Sequence, residues 1–157
     1  MPAPARDSTL PRVQPRTDSK ISTDCISSLM QAVQSYFDLM YDCDTSRLGD
    51  VFYRSSHLHG FRDGKMVSWS METYREILNR RQSPKSLDSP REDEVLLVDF
   101  ASTTQALVKV RVRLSAMVFV DHLTWHRIDG RWLITSKGFH VESDDSQSWP
   151  SAGPSTA

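Results

Sequence analysis

No apolar run in this chain is long enough to cross a bilayer. The longest, Val95–Val98 and Ala116–Val120, are far shorter than the roughly 20 residues a spanning helix needs. A strong charge of either sign is missing too: 19 Lys and Arg stand against 20 Asp and Glu, interspersed, for a formal net charge of −1. That balance leaves no electrostatic footprint for nucleic acid or an anionic membrane, and Arg111 and Arg113, alternating on one strand, read as a solvated edge. Cysteine is scarce. Cys25 and Cys43 flank one predicted helix about 27 Å long, too far for a disulfide. Two free thiols fit a reducing compartment, so the expected location is the cytoplasm. Glycine-rich phosphate loops, nucleophile motifs and paired-cysteine metal motifs are absent, which disfavours phosphoryl transfer and acyl-enzyme chemistry.

What the sequence does hold is one domain framed by two polar tails. Residues 1–21 carry Pro2, Pro4, Pro11 and Pro15 with scattered arginine and no apolar segment of the secretory kind, a composition that reads as disorder. Asp7, Asp18 and the prolines also spoil the amphipathic helix of an organelle transit peptide. Residues 143–157 have the same disordered composition. Between them, 22–142 form a single domain in a chain of 157 residues.

Within the domain, Ile26, Leu29, Met30, Val33, Phe37, Met40 and Tyr41 recur at three- and four-residue steps, predicting an amphipathic helix that Asp24 can cap. A short helix follows, capped by Asp44 or Thr45 and burying Leu48, Val51 and Phe52. Two extended runs flank the Asp63-Gly64 turn, and Ser70 opens a third helix with Met71, Tyr74, Ile77 and Leu78 on one side. From Asp93 the period becomes two, and four strands follow, the last pair joined by Asp129-Gly130. Helices first and strands later indicate an α+β fold, with helices covering one face of a curved antiparallel sheet.

Asp121 raises the functional question, because a carboxylate in the strand "FVDHLTWH" is costly on an apolar face unless paired or needed. Counting back from Asp129-Gly130 places Ile128 opposite Arg131, Trp125 opposite Ile134, Leu123 opposite Ser136 and Asp121 opposite Gly138. Asp121 then shares a face with Leu123, Trp125, Trp132 and Ile134, while His122, Thr124, His126, Leu133, Thr135 and Lys137 take the other. The first face is the greasier, so Asp121 is expected to point inward.

The element order, "YFDLMYDCD", "HLHGFRDG" and above all "VDHLTWHRIDGRWLITSKGFH" resemble the nuclear transport factor 2-like superfamily, and within it the SnoaL-like and "putative lumazine-binding" branch. The likeness runs from Ile26 to Glu142. It implies a cone of strongly bent sheet closed by three helices from the N-terminal half and enclosing a ligand pocket, commonly paired as a homodimer through the sheet. Members include ketosteroid isomerase-like, dehydratase-like and polyketide cyclase-like enzymes, and also binding or scaffold modules without catalysis. The likeness therefore implies a pocket and leaves the reaction open.

In the enzymes of that superfamily an inward aspartate is a general acid or base, and the resemblance gives Asp121 this role. An apolar cavity would raise its pKa toward working pH; the alternative is a structural plug bonded to a tyrosine, histidine or amide. His57 and His59 share a strand face, and either could pair with Asp121 as an acid–base couple, or lie solvated on a rim. A metal would need a third ligand, from His140 or Asp121, and no second motif supports one, so neither metal nor cofactor is expected. Tyr36, Tyr41 and Tyr74 could each stabilise an enolate, Tyr36 being best placed. Met40, Phe52, Trp69, Leu123, Trp125, Phe139 and His140 are candidate pocket walls, against the reading of ordinary core. His122 and His126 sit about 13 Å apart along a strand, which excludes a helical zinc pair and suggests a dimer interface or solvent. The expected function is cofactor-free isomerisation, cyclisation or dehydration of a small hydrophobic molecule; the alternative is a non-catalytic ligand-binding or dimerisation module.

Overall fold

The apolar stripe predicted near the N-terminus builds α1 (Thr23–Asp42), with Leu29, Val33, Tyr36, Phe37 and Met40 buried. Its cap is Ser22, not Asp24: the Ser22 hydroxyl accepts from the Cys25 amide at 3.1 Å, two residues earlier than expected. The helix stops where Cys43 turns left-handed, at φ 53°. A 3₁₀ turn (Thr45–Arg47), capped by Asp44, leads into α2 (Leu48–Val51) and directly into β1 (Phe52–Arg62). Phe52, expected in the short helix, therefore opens the strand. Asp63 and Gly64, both at positive φ, reverse the chain into β2 (Lys65–Ser70), and Ser70 caps α3 (Met71–Arg80) through the Thr73 amide.

The computed structural model describes residues 21–145, so the two expected tails fall almost entirely outside the described residues. Where they overlap, Ile21 packs against the core and the last strand continues through Asp144.

The period-two segment forms β3 (Asp93–Ser102), β4 (Gln105–Leu114), β5 (Met117–Ile128) and β6 (Arg131–Asp144). All six strands make one sheet in the order β2-β1-β6-β5-β4-β3. Every pair is antiparallel except β1 with β6, a parallel join that local sequence pattern cannot announce. The helices pack on one face, where Leu29, Val33 and Met40 meet Val108, Val110, Leu123, Trp125 and Ile134 in the core.

One irregularity sets up the site. β5 and β6 pair as counted from Ile128↔Arg131 to Trp125↔Ile134, but the next pair is Thr124↔Ser136. Thr135 is an extra residue on β6, a bulge tied down by its hydroxyl, 2.6 Å from His126 Nδ1. From Ser136 to Val141 every β6 side chain changes face, until a second bulge at Glu142. Gly138 therefore lies opposite His122 rather than Asp121, Phe139 lies opposite Asp121, and Lys137, expected outward, turns into the core opposite Leu123.

A second constraint fixes Phe139. A Cβ at Gly60 would sit 2.5 Å from both the Phe139 carbonyl oxygen and its ring. Only glycine lets β1 approach β6 this closely, with the Phe139 ring lying over the bare Cα.

Candidate functional site

Asp121 is 1% exposed, on the inward face of β5. The Tyr36 hydroxyl, presented by α1, donates to its Oδ2 at 2.5 Å. Lys137 Nζ lies 3.4 Å from the same oxygen and is itself buried. Asp121 Oδ1 has no hydrogen-bond partner among the described residues. The ammonium sits over two aromatic faces, 5.2 Å from the Tyr36 ring centroid and 5.5 Å from that of Tyr74. Met40 Sδ completes its surroundings at 3.8 Å and also accepts from Tyr74 Oη at 3.4 Å. Two helices and two strands thus converge on one buried ionisable cluster.

Burial, and then the Asp121 carboxylate, push the Tyr36 phenol well above its ordinary value of 10.0. Tyr36 is held as a proton donor. Because the folded state binds this proton more tightly than the unfolded chain, its contribution to stability is complete below pH 10 and is lost as pH rises through the folded value. Denaturant titrations should show stability falling above pH ~10, with Tyr36→Phe flattening the fall. An equal slope in the variant would contradict this account.

Lys137 has a second side. It closes a small cavity of about 20 Å³ shared with Leu58, Arg62, Trp69, Tyr74, Arg81, Leu114, Phe119 and Phe139. That volume is close to a single water. Aromatic packing fills the rest of the cone: Trp69 stacks on Phe139 at 5.4 Å and Phe119 meets Phe139 edge-on at 6.4 Å. Asp121 is not part of the cavity lining. Arg62, at the end of β1, and Arg81, just past α3, are both half-buried at its rim. The Arg81 Nη1 atom is buried without a partner.

Of the residues expected at the site, Asp121 and Tyr36 meet, and Trp69 and Phe139 line the cavity. Met40 touches Lys137, but Met40, Phe52, Leu123 and Trp125 are at most 2% exposed and pack as core away from the cavity. The expected pairing of Asp121 with His59 or His57 does not form. Leu58 and Gly60 take the inward positions of β1, so strand alternation turns both histidines to solvent on the opposite face. Their rings stack at 6.2 Å, and His59 Nε2 is 3.1 Å from Ser68 Oγ. His140 is likewise exposed on that outer face, where it lines a separate open depression with Gly138 and His122 and takes no part in the cavity that Lys137 closes. Among the described residues no three His, Cys, Asp or Glu side chains come together as a metal-binding group.

Lys137, Arg62 and Arg81 escaped the sequence reading. Lys137 is hidden by the bulge. Arg62 and Arg81 sit at element ends, where arginine is common and unremarked. A larger open groove of about 640 Å³ lies elsewhere, between Leu48, Tyr53, Arg54, Met71, Glu72 and Arg75. It touches no member of the Asp121 cluster.

Several solved structures share this fold. A nuclear transport factor 2-like protein from Silicibacter pomeroyi is 20% identical at a TM-score of 0.69, covering 76% of this chain and 97% of its own. A ketosteroid isomerase-like protein from Erwinia carotovora atroseptica has 10% identity and a TM-score of 0.62, over 78% of this chain and 99% of that one. A "Putative Scytalone Dehydratase" from Novosphingobium aromaticivorans has 13% identity and a TM-score of 0.54, over 78% and 89%. At these identities the likeness is one of fold. No curated protein matches the chain. Among the described residues, no helix is long and apolar enough to cross a membrane. The family model described as "Putative lumazine-binding" matches residues 24–140, so the chain belongs to that family, and its cone of sheet and three helices is the fold of the nuclear transport factor 2-like structures it resembles.

Proposed function

We propose that this chain binds a small, mostly hydrophobic molecule at the mouth of its cone, and that Asp121 and Tyr36 act on it only through Lys137. The observation that supports this reading is the double placement of Lys137, which joins the buried ionisable cluster on one side and the cavity on the other. Burying three ionisable side chains together costs stability, and such clusters concentrate where a protein uses them. The family's lumazine-binding description favours a small-molecule ligand, and two free thiols favour a reducing compartment such as the cytoplasm.

A second reading, cofactor-free proton transfer of the isomerase, cyclase or dehydratase type, is favoured by the unpartnered Asp121 Oδ1 beside a phenol that keeps its proton. Similarity in fold to a ketosteroid isomerase-like protein and a "Putative Scytalone Dehydratase" adds weight. In this reading the Lys137 ammonium would give a proton to a ligand oxygen while solvent water takes the proton from the neighbouring carbon, and Asp121 holds the lysine in place.

Titrating isotope-labelled protein with phenol, indole and cyclohex-2-enone separates these ideas. Amide shifts should gather at Leu58, Trp69, Tyr74, Phe119 and Phe139. Shifts confined to the open groove at Leu48–Tyr53 and Met71–Arg75 would sink the cone-mouth reading. The catalytic reading further requires faster deuterium exchange beside the cyclohexenone carbonyl, lost in Lys137→Met.

A further inference from the structure

We infer that the ligand taken at the cone mouth carries a carboxylate, gripped between Arg62 and Arg81 above Lys137. The inference rests on the binding reading above and names its ligand class. Its basis is charge. The cavity lining holds three cations, Arg62, Arg81 and Lys137, and no aspartate or glutamate; its remaining members are apolar or aromatic. Asp121, which pairs with Lys137 behind this wall, already receives both the Tyr36 hydroxyl and Lys137 on one oxygen.

Five arginines elsewhere on the molecule are neutralised: Arg47, Arg91, Arg111, Arg113 and Arg131 each pair with a carboxylate. Arg54, Arg75, Arg80 and Arg127, like Arg62 and Arg81, are without a carboxylate partner among the described residues; of these only Arg81 leaves a guanidinium nitrogen, Nη1, buried and unsatisfied. A buried donor without an acceptor costs free energy that a native structure does not accept idly. Two guanidinium groups brought to one cavity from different elements, the end of β1 and the residue after α3, suit a planar oxyanion, which accepts paired hydrogen bonds from such groups.

Size and surroundings narrow the anion. A space of about 20 Å³ at the base of this open mouth takes one water-sized oxygen and not a tetrahedral phosphate. Trp69 and Leu114, half-buried at the mouth, offer an apolar shelf for the rest of the ligand. The geometry matches a small monocarboxylate with an aromatic or aliphatic body lying outward over Trp69.

Benzoate and its neutral isostere benzamide test this directly. The full chain should bind benzoate at least about tenfold more tightly than benzamide in low salt, with shifts at Trp69 and Phe139, and added sodium chloride should erode the difference. Arg81→Gln should weaken benzoate about tenfold while leaving benzamide unchanged. Arg62→Gln serves as the second variant if the first melts at a lower temperature. Equal binding of the two compounds at the mouth overturns the carboxylate assignment and leaves the binding reading standing. Unchanged benzoate affinity in both arginine variants overturns it as well. If neither compound moves the mouth residues, while neutral phenol or indole does, only the carboxylate assignment falls; if no probe moves them, both do.

Discussion

Asp121→Asn should lower the stability of the fold by about 3–5 kcal/mol, because it leaves the Lys137 ammonium buried without its counter-charge. The asparagine keeps the size and can still accept from Tyr36, so little of the loss comes from packing. Lys137→Met should also destabilise, since it strands the carboxylate with only the Tyr36 hydroxyl. The double variant should recover part of the combined loss, because it leaves no charge buried without its partner. Urea unfolding of the four proteins gives the coupling energy, expected at about 2–3 kcal/mol. A single-variant cost under about 1 kcal/mol would mean that the ion pair is not what seats Lys137. The same measurement bears on mechanism. An aspartate that met the ligand itself would lose turnover at little cost in stability, whereas one that acts by holding Lys137 should lose both.

Gly60→Ala should be nearly as damaging, at about 3 kcal/mol, for a different reason. The added methyl has no free volume: it would sit 2.5 Å from the Phe139 carbonyl oxygen and from its ring. The ring could swing away, but the backbone oxygen belongs to the β1–β6 pairing and moves only if the strands part. Phe139 stacks on Trp69 and walls the cavity, so the variant should also lose the ligand-induced shifts at both residues. Thermal melting reads the first effect and the amide titration reads the second. A midpoint within about 2 °C of the parent would show that the strands adapt cheaply and that Phe139 is not pinned. Combining Gly60→Ala with Phe139→Leu should restore only the part of the loss owed to the ring.

The turn chemistry was the most legible part of this molecule. Asp63-Gly64 and Asp129-Gly130 adopt the positive φ values their side chains permit, and Ser70 caps α3 as its position suggests. Asp121 could be assigned to the inward face because the bulge inserts its extra residue in β6 and leaves the alternation of β5 intact. Counting from the same turn failed along β6 for the same reason. The outward placement of His57 and His59 had a local signal, since Leu58 stands between them and takes the core face. Phe61, 66% exposed and on the histidine side, obscures that signal.

The sequence by itself determined the α+β order, the two tight reversals, the amphipathic face of α1 and the direction of one carboxylate, all properties set by neighbours a few residues apart. Tertiary structure alone decided that Thr135 would be skipped in the ladder, that β1 would run parallel beside β6, and that Arg62, Arg81 and Lys137 would share one cavity. Those outcomes depend on contacts between segments tens of residues apart, where the energy of a strand pairing or a buried charge outweighs any local preference.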